Sequence, residues 1–205
     1  GRKMWTRTDT YFGVNYMADT IDLDRDGKRE SVIIPFYYDY NDNGIFGYHT
    51  NGTQAFRSAG YGTNVGNMGH VHVSDFDNDG YKDDTLWATS SSGGTTTTIF
   101  TQSGASLWTN SSYDSGTHSG SDSVIGDFDC DGIRNDFVLA FRRAADNKKI
   151  IIAMTTNDNA NWNARWIFQA TNAIASGANV LEFAVGDIDG DGCDDVAAID
   201  QGGGH

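Results

Sequence analysis

The sequence predicts an all-β fold built from repeated four-stranded antiparallel units. Three observations predict it. A D-x-D-x-D-G motif occurs four times at nearly constant spacing, each copy lies between two short stretches of strand-like pattern, and turn residues rich in Gly and Asn follow. Thr, Tyr and Trp are plentiful, whereas Glu and Leu are rare, and no stretch shows the 3.6-residue periodicity of a helix.

The four acidic motifs begin 53, 52 and 60 residues apart, which is a repeat rather than a coincidence of composition. We number each loop from its first Asp, which is position 1. The numbering gives loop 1 (22–30), loop 2 (75–83), loop 3 (127–135) and loop 4 (187–195).

Each acidic loop joins the first two strands of a predicted four-stranded unit, and a repeated unit of this kind is typical of a β-propeller blade. We therefore expect a single domain, 1–205, that forms a β-propeller-like array of about four blades. The approximate blade bounds are 14–60, 70–112, 123–170 and 181–205. The last blade contains only its first two strands, and we expect segment 3–8, from the same or a neighbouring chain, to complete it.

The formal charge of the 205-residue chain is −14, and all but two of its 28 acidic residues are Asp. This charge disfavours nucleic acid and anionic membrane surfaces as partners. No apolar run reaches 18 residues, so we expect no membrane insertion. An excess of Asp over Glu is typical of turns and of oxygen-rich cation sites.

Carboxylates at positions 1, 3 and 5 of a tight loop converge on one point. At ~5 Å and an effective dielectric constant of ~20, each pair repels by roughly 3 kcal/mol, and a hard cation removes that repulsion. Calcium suits the pattern because it accepts many oxygen ligands, whereas Mg²⁺ demands strict octahedral geometry. The loops are not EF-hands, since strands flank them and position 12 is apolar.

We therefore expect about four Ca²⁺ ions, one in each loop, as structural ions. The ligands would be the side chains at positions 1, 3, 5 and 9 and the carbonyl at position 7. They are Asp22, Asp24, Asp26, Lys28 and Glu30 in loop 1; Asp75, Asp77, Asp79, Tyr81 and Asp83 in loop 2; Asp127, Asp129, Asp131, Ile133 and Asn135 in loop 3; Asp187, Asp189, Asp191, Cys193 and Asp195 in loop 4. In loop 3, Asn135 or the adjacent Asp136 would fill the ninth position. The alternative is that the Asp residues only form Asx turns.

The segments Gly126–Gly132 and Gly186–Gly192 resemble the FG-GAP or VCBS repeat family, whose calcium-loop blades occur in integrin alpha-chain propellers and many secreted microbial proteins. The resemblance extends over nearly the whole chain. It implies a cation in each loop, propeller blades and an extracellular or cell-surface location. The family usually builds seven blades, whereas this chain has about four.

Several weaker patterns accompany the loops. Cys130 and Cys193 both lie in acidic loops, and they are either a disulfide between neighbouring blades or two free thiols. Asn51 and Asn110 begin N-glycosylation sequons. His70 and His72 share one face of a strand, where a packed strand is a better interpretation than a metal pair.

No nucleophile elbow, phosphate loop or zinc spacing is present, so we expect no enzymatic activity. The sequence favours a secreted calcium-binding structural or adhesive repeat protein that assembles head-to-tail with other copies of itself into a surface layer or fibre. The alternative is a lectin-like or integrin-like recognition module for an extracellular glycan or protein, with interblade Trp residues as sugar platforms. A piece of a larger propeller is a third interpretation.

Overall fold

The computed structural model describes residues 18–39, 42–59, 65–91, 94–110, 121–143, 148–156, 162–169 and 181–200, and these residues form strands and loops without a helix. Unit 1 contains β1 (Asp19–Ile21), β2 (Ser31–Asp39), β3 (Asp42–Tyr48) and β4 (Gln54–Ala59). Unit 2 contains β5 (Val65–Ser74), β6 (Asp84–Ser91), β7 (Gly94–Phe100) and β8 (Ser106–Asn110). Unit 3 contains β9 (Ser121–Gly126), β10 (Asp136–Arg143), β11 (Lys148–Thr156) and β12 (Trp162–Gln169), and unit 4 contains β13 (Leu181–Gly186) and β14 (Asp195–Asp200).

Each of units 1 to 3 is an antiparallel sheet whose four strands follow one another in sequence order, and unit 4 is a two-stranded sheet. The predicted all-β architecture of repeated antiparallel sheets is confirmed. In every unit the acidic loop joins the first strand to the second. The second unit begins at Val65, earlier than the expected 70, because β5 continues through two register irregularities against β6. Segment 3–8 lies outside the described residues.

The first strands of the units lie side by side, because β5 contacts both β1 and β9, and β9 contacts β13. The acidic loops leave these strands at the same end, so the stacking brings the loops together along one edge of the array.

Hydrophobic clusters fill the spaces between units, and successive residues on a strand contribute to different clusters because they point to opposite faces. On β10, Phe137 packs towards unit 2 with Phe76, whereas Val138 packs towards unit 4 with Phe183. Both β10 residues are fully buried. The apolar run Phe137–Phe141 is thus explained by a strand that is covered on both faces.

The described tryptophans belong to this packing. Trp87 is 1% exposed within the cluster between units 1 and 2, and the rings of Trp108 and Trp162 lie 5.7 Å apart in the cluster between units 2 and 3. These three side chains favour the interpretation as blade core over that as sugar platforms. Trp5 and the side chain of Trp166 lie outside the described part of the chain.

Candidate metal centres

The first Asp of each loop holds the turn in place. Asp75 accepts hydrogen bonds from the backbone N–H groups of Asp79 and Gly80, both at 2.9 Å. Asp22 and Asp127 accept the equivalent pairs in loops 1 and 3. The carboxylate at position 1 therefore fixes the loop backbone before any ligand is considered.

Two sharp changes of chain direction shape each loop. The residue at position 4 has a positive φ in all four loops: 59° at Arg25, 57° at Asn78, 70° at Cys130 and 83° at Gly190. The glycine at position 6 also has a positive φ, for example 93° at Gly80, and nothing lies within 4 Å of the place where its Cβ would be. Glycine is needed there for the backbone conformation rather than for space.

The loop geometry brings three carboxylates together in every repeat. Each carboxylate offers an oxygen, and these oxygens lie within 4.8 Å of one another. The groups are Asp22, Asp24 and Asp26; Asp75, Asp77 and Asp79; Asp127, Asp129 and Asp136; and Asp187, Asp189 and Asp195. The converging carboxylates are those at positions 1, 3 and 5 in loops 1 and 2. In loops 3 and 4 the third member of the group is an acid at the start of the second strand rather than Asp131 or Asp191.

The acid that begins the second strand was not in the expected ligand set of loop 3 except as an alternative to Asn135. Asp136 accepts hydrogen bonds from the N–H groups of Phe128 and Asp129, at 2.9 and 3.0 Å. Asp84 makes the same two contacts in loop 2. The sequence signal that identifies both residues is an acid at position 10.

Loop 4 is one residue shorter than the pattern suggested. Asp195 pairs with Gly186 across the sheet just as Asp136 pairs with Gly126, and it accepts hydrogen bonds from the N–H groups at positions 2 and 3. Asp195 is therefore the equivalent of Asp136, although simple counting from Asp187 placed it at position 9. The alignment of the strands, rather than the residue count, decides the equivalence.

Position 9 provides the observation that best fits a bound cation. Asp83 is 0% exposed and Asn135 is 2% exposed, and in both residues Oδ1 accepts no hydrogen bond from the described part of the chain. A buried oxygen without a hydrogen-bond partner is costly. Both atoms belong to residues at position 9, where the sequence predicts a cation ligand. The donor set, which consists of carboxylate and amide oxygens, is the set that Ca²⁺ prefers.

The raised pKa values of two buried carboxyl groups next to loops 2 and 3 also fit a bound cation. Burial, together with repulsion from Asp77, raises the pKa of Asp84 to about 8. Burial and repulsion from Asp129 raise the pKa of Asp136 to about 7. The ionised form of both carboxyl groups is therefore costly in these buried positions, and either a proton or a cation relieves that cost.

Position 7 shows that Asx turns are present as well. The backbone N–H groups of Lys28, Tyr81, Ile133 and Cys193 donate to the Asp at position 5, at 2.8 to 3.0 Å. Such turns leave other carboxylate oxygens available as ligands, so Asx turns and cation binding do not exclude each other. The carbonyl ligands expected at position 7 and the side chain of Glu30, which is exposed, stay predictions.

Loops 3 and 4 are joined covalently. Cys130 and Cys193 form a disulfide, which is the first of the two interpretations that the sequence left open. Asp127 and Asp194 reinforce the junction, since each donates its backbone N–H to an oxygen of the other at 2.9 Å.

Loops 1 and 2 are joined by charge. Arg25 Nε lies 2.6 Å from Asp83 Oδ2, and Arg25 Nη2 lies 2.7 Å from Asp79 Oδ2. The guanidinium also lies over the ring of Tyr81, 4.8 Å from its centroid. Burial raises the pKa of Asp83 to about 6 even though the hydrogen bond and charge of Arg25 oppose that rise.

The remaining candidate residues lie away from the loops. Asn51 is exposed in the turn after β3, where its Oδ1 accepts from Thr53 N at 2.9 Å and Thr53 Oγ1 at 2.6 Å. Asn110 ends β8, and its glycosylation, like that of Asn51, stays a prediction. His72 Nε2 lies 2.7 Å from the carbonyl oxygen of Ser123, a contact between β5 and β9 that fits a packed strand; the side chain of His70 is outside the described residues.

The units are antiparallel sheets that stack through their first strands, and in each unit an acidic loop joins the first strand to the second. This arrangement defines a propeller-type repeat module. Residues 22–83, from the start of loop 1 to the end of loop 2, match the family model described as an FG-GAP-like repeat. The match covers less than a third of the chain, and it confirms the resemblance to FG-GAP-type repeats for this segment. No curated protein matches the chain. The described residues include no helix long and apolar enough to span a bilayer.

Proposed function

We propose that this chain is a calcium-binding structural or adhesive module of the extracellular space, in which one Ca²⁺ ion in each acidic loop stiffens a propeller-type array. The observation that carries the proposal is the combination of three converging carboxylates in each of the four loops with the unpartnered, buried Oδ1 atoms of Asp83 and Asn135.

The ions would hold strands together rather than take part in a reaction. In each loop the carboxylates at positions 1 and 3 would be ligands, joined by Asp26 in loop 1, by Asp79 and Asp83 in loop 2, by Asn135 and Asp136 in loop 3, and by Asp195 in loop 4. Four divalent ions would offset eight of the 14 excess negative charges of the chain. Because a bound cation keeps these carboxylates ionised, they are poor general acids, and we propose no enzymatic activity.

An extracellular or cell-surface location is supported by the disulfide, and it agrees with the proposed calcium binding. The Cys130–Cys193 disulfide requires an oxidising compartment, which the cytosol of most cells is not. Calcium sites of extracellular modules often bind with a Kd of ~10⁻⁴ to 10⁻³ M, and free calcium reaches that range outside cells. The FG-GAP-like match of residues 22–83 is typical of extracellular adhesion modules and agrees with both features.

The second part of the proposal is self-association through unit 4. The evidence for it is the degree of burial of the residue at position 2 of each loop. Phe76 is fully buried, and Leu23 and Phe128 pack against the clusters that join their unit to the next. The equivalent Ile188 is 67% exposed. Ala184, on the outer face of unit 4, is exposed too.

We propose that a second copy of the chain covers this face. In each of units 1 to 3, the corresponding face packs against the next unit of the same chain. The contact would extend the series of inter-unit interfaces and build a head-to-tail assembly. A recognition module for an extracellular glycan or protein is the alternative function, and it would use the same exposed edge for a different partner.

Metal analysis of the purified protein tests the calcium proposal. We expect about four calcium ions per chain after dialysis against millimolar calcium, and a lower melting temperature in chelator. A chain that retains no calcium and melts at the same temperature in both conditions would overturn it.

Light scattering tests self-association. Ile188→Asp is expected to abolish assembly, whereas Ile167→Asp, a substitution of a 61% exposed isoleucine on β12, is the matched control and should leave assembly unchanged. A monomeric wild-type protein at every concentration would refute assembly and favour the recognition function, which binding to a glycan array or to extracellular proteins would then assess.

A further inference from the structure

We propose that Arg25 is a built-in counter-ion of loop 2, so that a divalent cation fills loop 2 only by displacing the guanidinium. The inference rests on the proposed calcium binding and concerns one site. Arg25 belongs to loop 1, yet its guanidinium contacts Asp79 and Asp83, the carboxylates at positions 5 and 9 of loop 2. Both positions are in the expected calcium-ligand set.

The guanidinium is held on several sides. Its Nε and Nη2 atoms donate to two different carboxylates at 2.6 and 2.7 Å, and the ring of Tyr81 lies against it. Asp83 is wholly buried, whereas Arg25 is about one-third exposed, so the ion pair closes the junction between units 1 and 2 at its solvent edge. Charge-assisted bonds of this length are the strong class of hydrogen bond.

Among the described residues, no other loop has a guanidinium in contact with its converging carboxylates. Arg134 of loop 3 does lie 3.3 Å from Asp194 of loop 4, but Arg134 is 52% exposed and Asp194 is not one of the three converging carboxylates of that loop. In loop 1, Lys28 Nζ contacts Asp26 at 2.6 Å, but the lysine side chain is 75% exposed and is readily replaced by water. In loop 3, position 4 is Cys130, which carries no charge and is bonded to Cys193 of loop 4. Position 4 of loop 1 therefore brings a positive charge to loop 2, whereas position 4 of loop 3 brings no charge to loop 4.

Repulsion between like charges controls whether loop 2 can take up a cation. A divalent ion bound by Asp79 and Asp83 would lie within a few ångströms of the guanidinium, and like charges at that distance repel strongly in a partly buried site. Filling loop 2 therefore requires Arg25 to swing out and to give up two charge-assisted bonds and the contact with Tyr81. Loop 2 becomes the weakest of the four sites, and calcium there takes the place of Arg25 as the counter-ion of Asp79 and Asp83.

Calcium titration calorimetry on three variants of the full chain tests the inference. Arg25→Gln is expected to tighten one site about tenfold, since the competing charge is gone. Arg29→Gln is the matched control, because Arg29 lies in the same loop but pairs with Asp19, outside the acidic clusters. It should change every affinity by less than about twofold. Asp77→Asn, combined with Arg25→Gln, should remove the tightened site and so assign it to loop 2.

A second readout needs no metal. In chelator, Arg25→Gln should lower the urea midpoint relative to Arg29→Gln, because Asp79 and Asp83 lose their counter-ion. If the wild type binds about four ions and Arg25→Gln tightens none of them, this inference fails while the proposed function stands. If the wild type binds no calcium, the proposed function fails and the inference fails with it.

Discussion

The disulfide between Cys130 and Cys193 joins position 4 of loop 3 to position 7 of loop 4. The same two positions meet at the other end of the array, where Arg25, at position 4 of loop 1, lies over the ring of Tyr81, at position 7 of loop 2. In both loops position 4 has a positive φ and its side chain contacts the following unit. The same pair of positions thus forms a covalent bond at one junction and a cation–π contact at another.

Removal of the disulfide should have a large effect on stability. The bond spans 63 residues, and closing a loop of that length stabilises the folded state by about 4 kcal/mol in the chain-entropy account. We expect Cys130→Ser combined with Cys193→Ser to lower the free energy of unfolding by about that amount in urea denaturation. Calcium stoichiometry should stay at the wild-type value, which serves as the control. A loss below about 1 kcal/mol would mean that the two loops are held together by other contacts.

Substitutions at positions 1 and 3 of loop 3 should separate loop structure from ion binding. Asp127 accepts two backbone hydrogen bonds, so Asp127→Ala should cost about 1 to 2 kcal/mol even in chelator. Asp129→Asn keeps an acceptor for the N–H of Asp131 but removes a charge, so it should destabilise the protein chiefly in calcium.

Thermal melts of both variants, with calcium and with chelator, provide the measurement. Equal losses for Asp129→Asn in the two conditions would contradict a cation in loop 3.

Gly126 and Gly186 each end the first strand of their unit, but we expect them to respond differently to substitution. A Cβ on Gly126 would lie 2.6 Å from the ring of Phe128, which packs between units 3 and 4. Nothing lies within 4 Å of the corresponding Cβ position on Gly186, whose neighbour Ile188 is exposed. We expect Gly126→Ala to cost about 1 to 3 kcal/mol and Gly186→Ala to be nearly neutral, as measured by urea denaturation of the monomer. Similar costs at both positions would show that backbone conformation, rather than the ring, sets the requirement.

Stability without calcium should depend on pH with a definite sign. Asp84 and Asp136 have folded-state pKa values of about 8 and about 7, above their ordinary value of 3.8, so the folded protein binds protons more tightly than the unfolded chain. In chelator, the free energy of unfolding should therefore fall as the pH rises from about 4 to about 8.

Saturating calcium should flatten that dependence near neutral pH, because the cation takes the place of the protons. Urea denaturation at several pH values, with and without calcium, measures both slopes. A free energy of unfolding that rises with pH over this interval in chelator would contradict the buried position of the two carboxyl groups.

The sequence by itself determined the strands and the acidic loops that join them. Alternation along a strand and the D-x-D-x-D-G turn are local properties, since each depends on residues within a few positions of one another. That is why the all-β architecture and the grouping of Asp75, Asp77 and Asp79 agree with the structure. The acids Asp84 and Asp136 were harder to assign, because their role depends on the register with the preceding strand.

Only the tertiary structure decided which loops touch and through which atoms. The contact of Arg25 with Asp83, the choice of a disulfide over free thiols and the exposure of Ile188 each depend on how one sheet stacks on the next. Stacking is set by sheet twist and by clusters that combine residues more than 50 positions apart, such as Ile33 and Trp87. Information of that kind is distributed over the whole chain, so no single motif contains it.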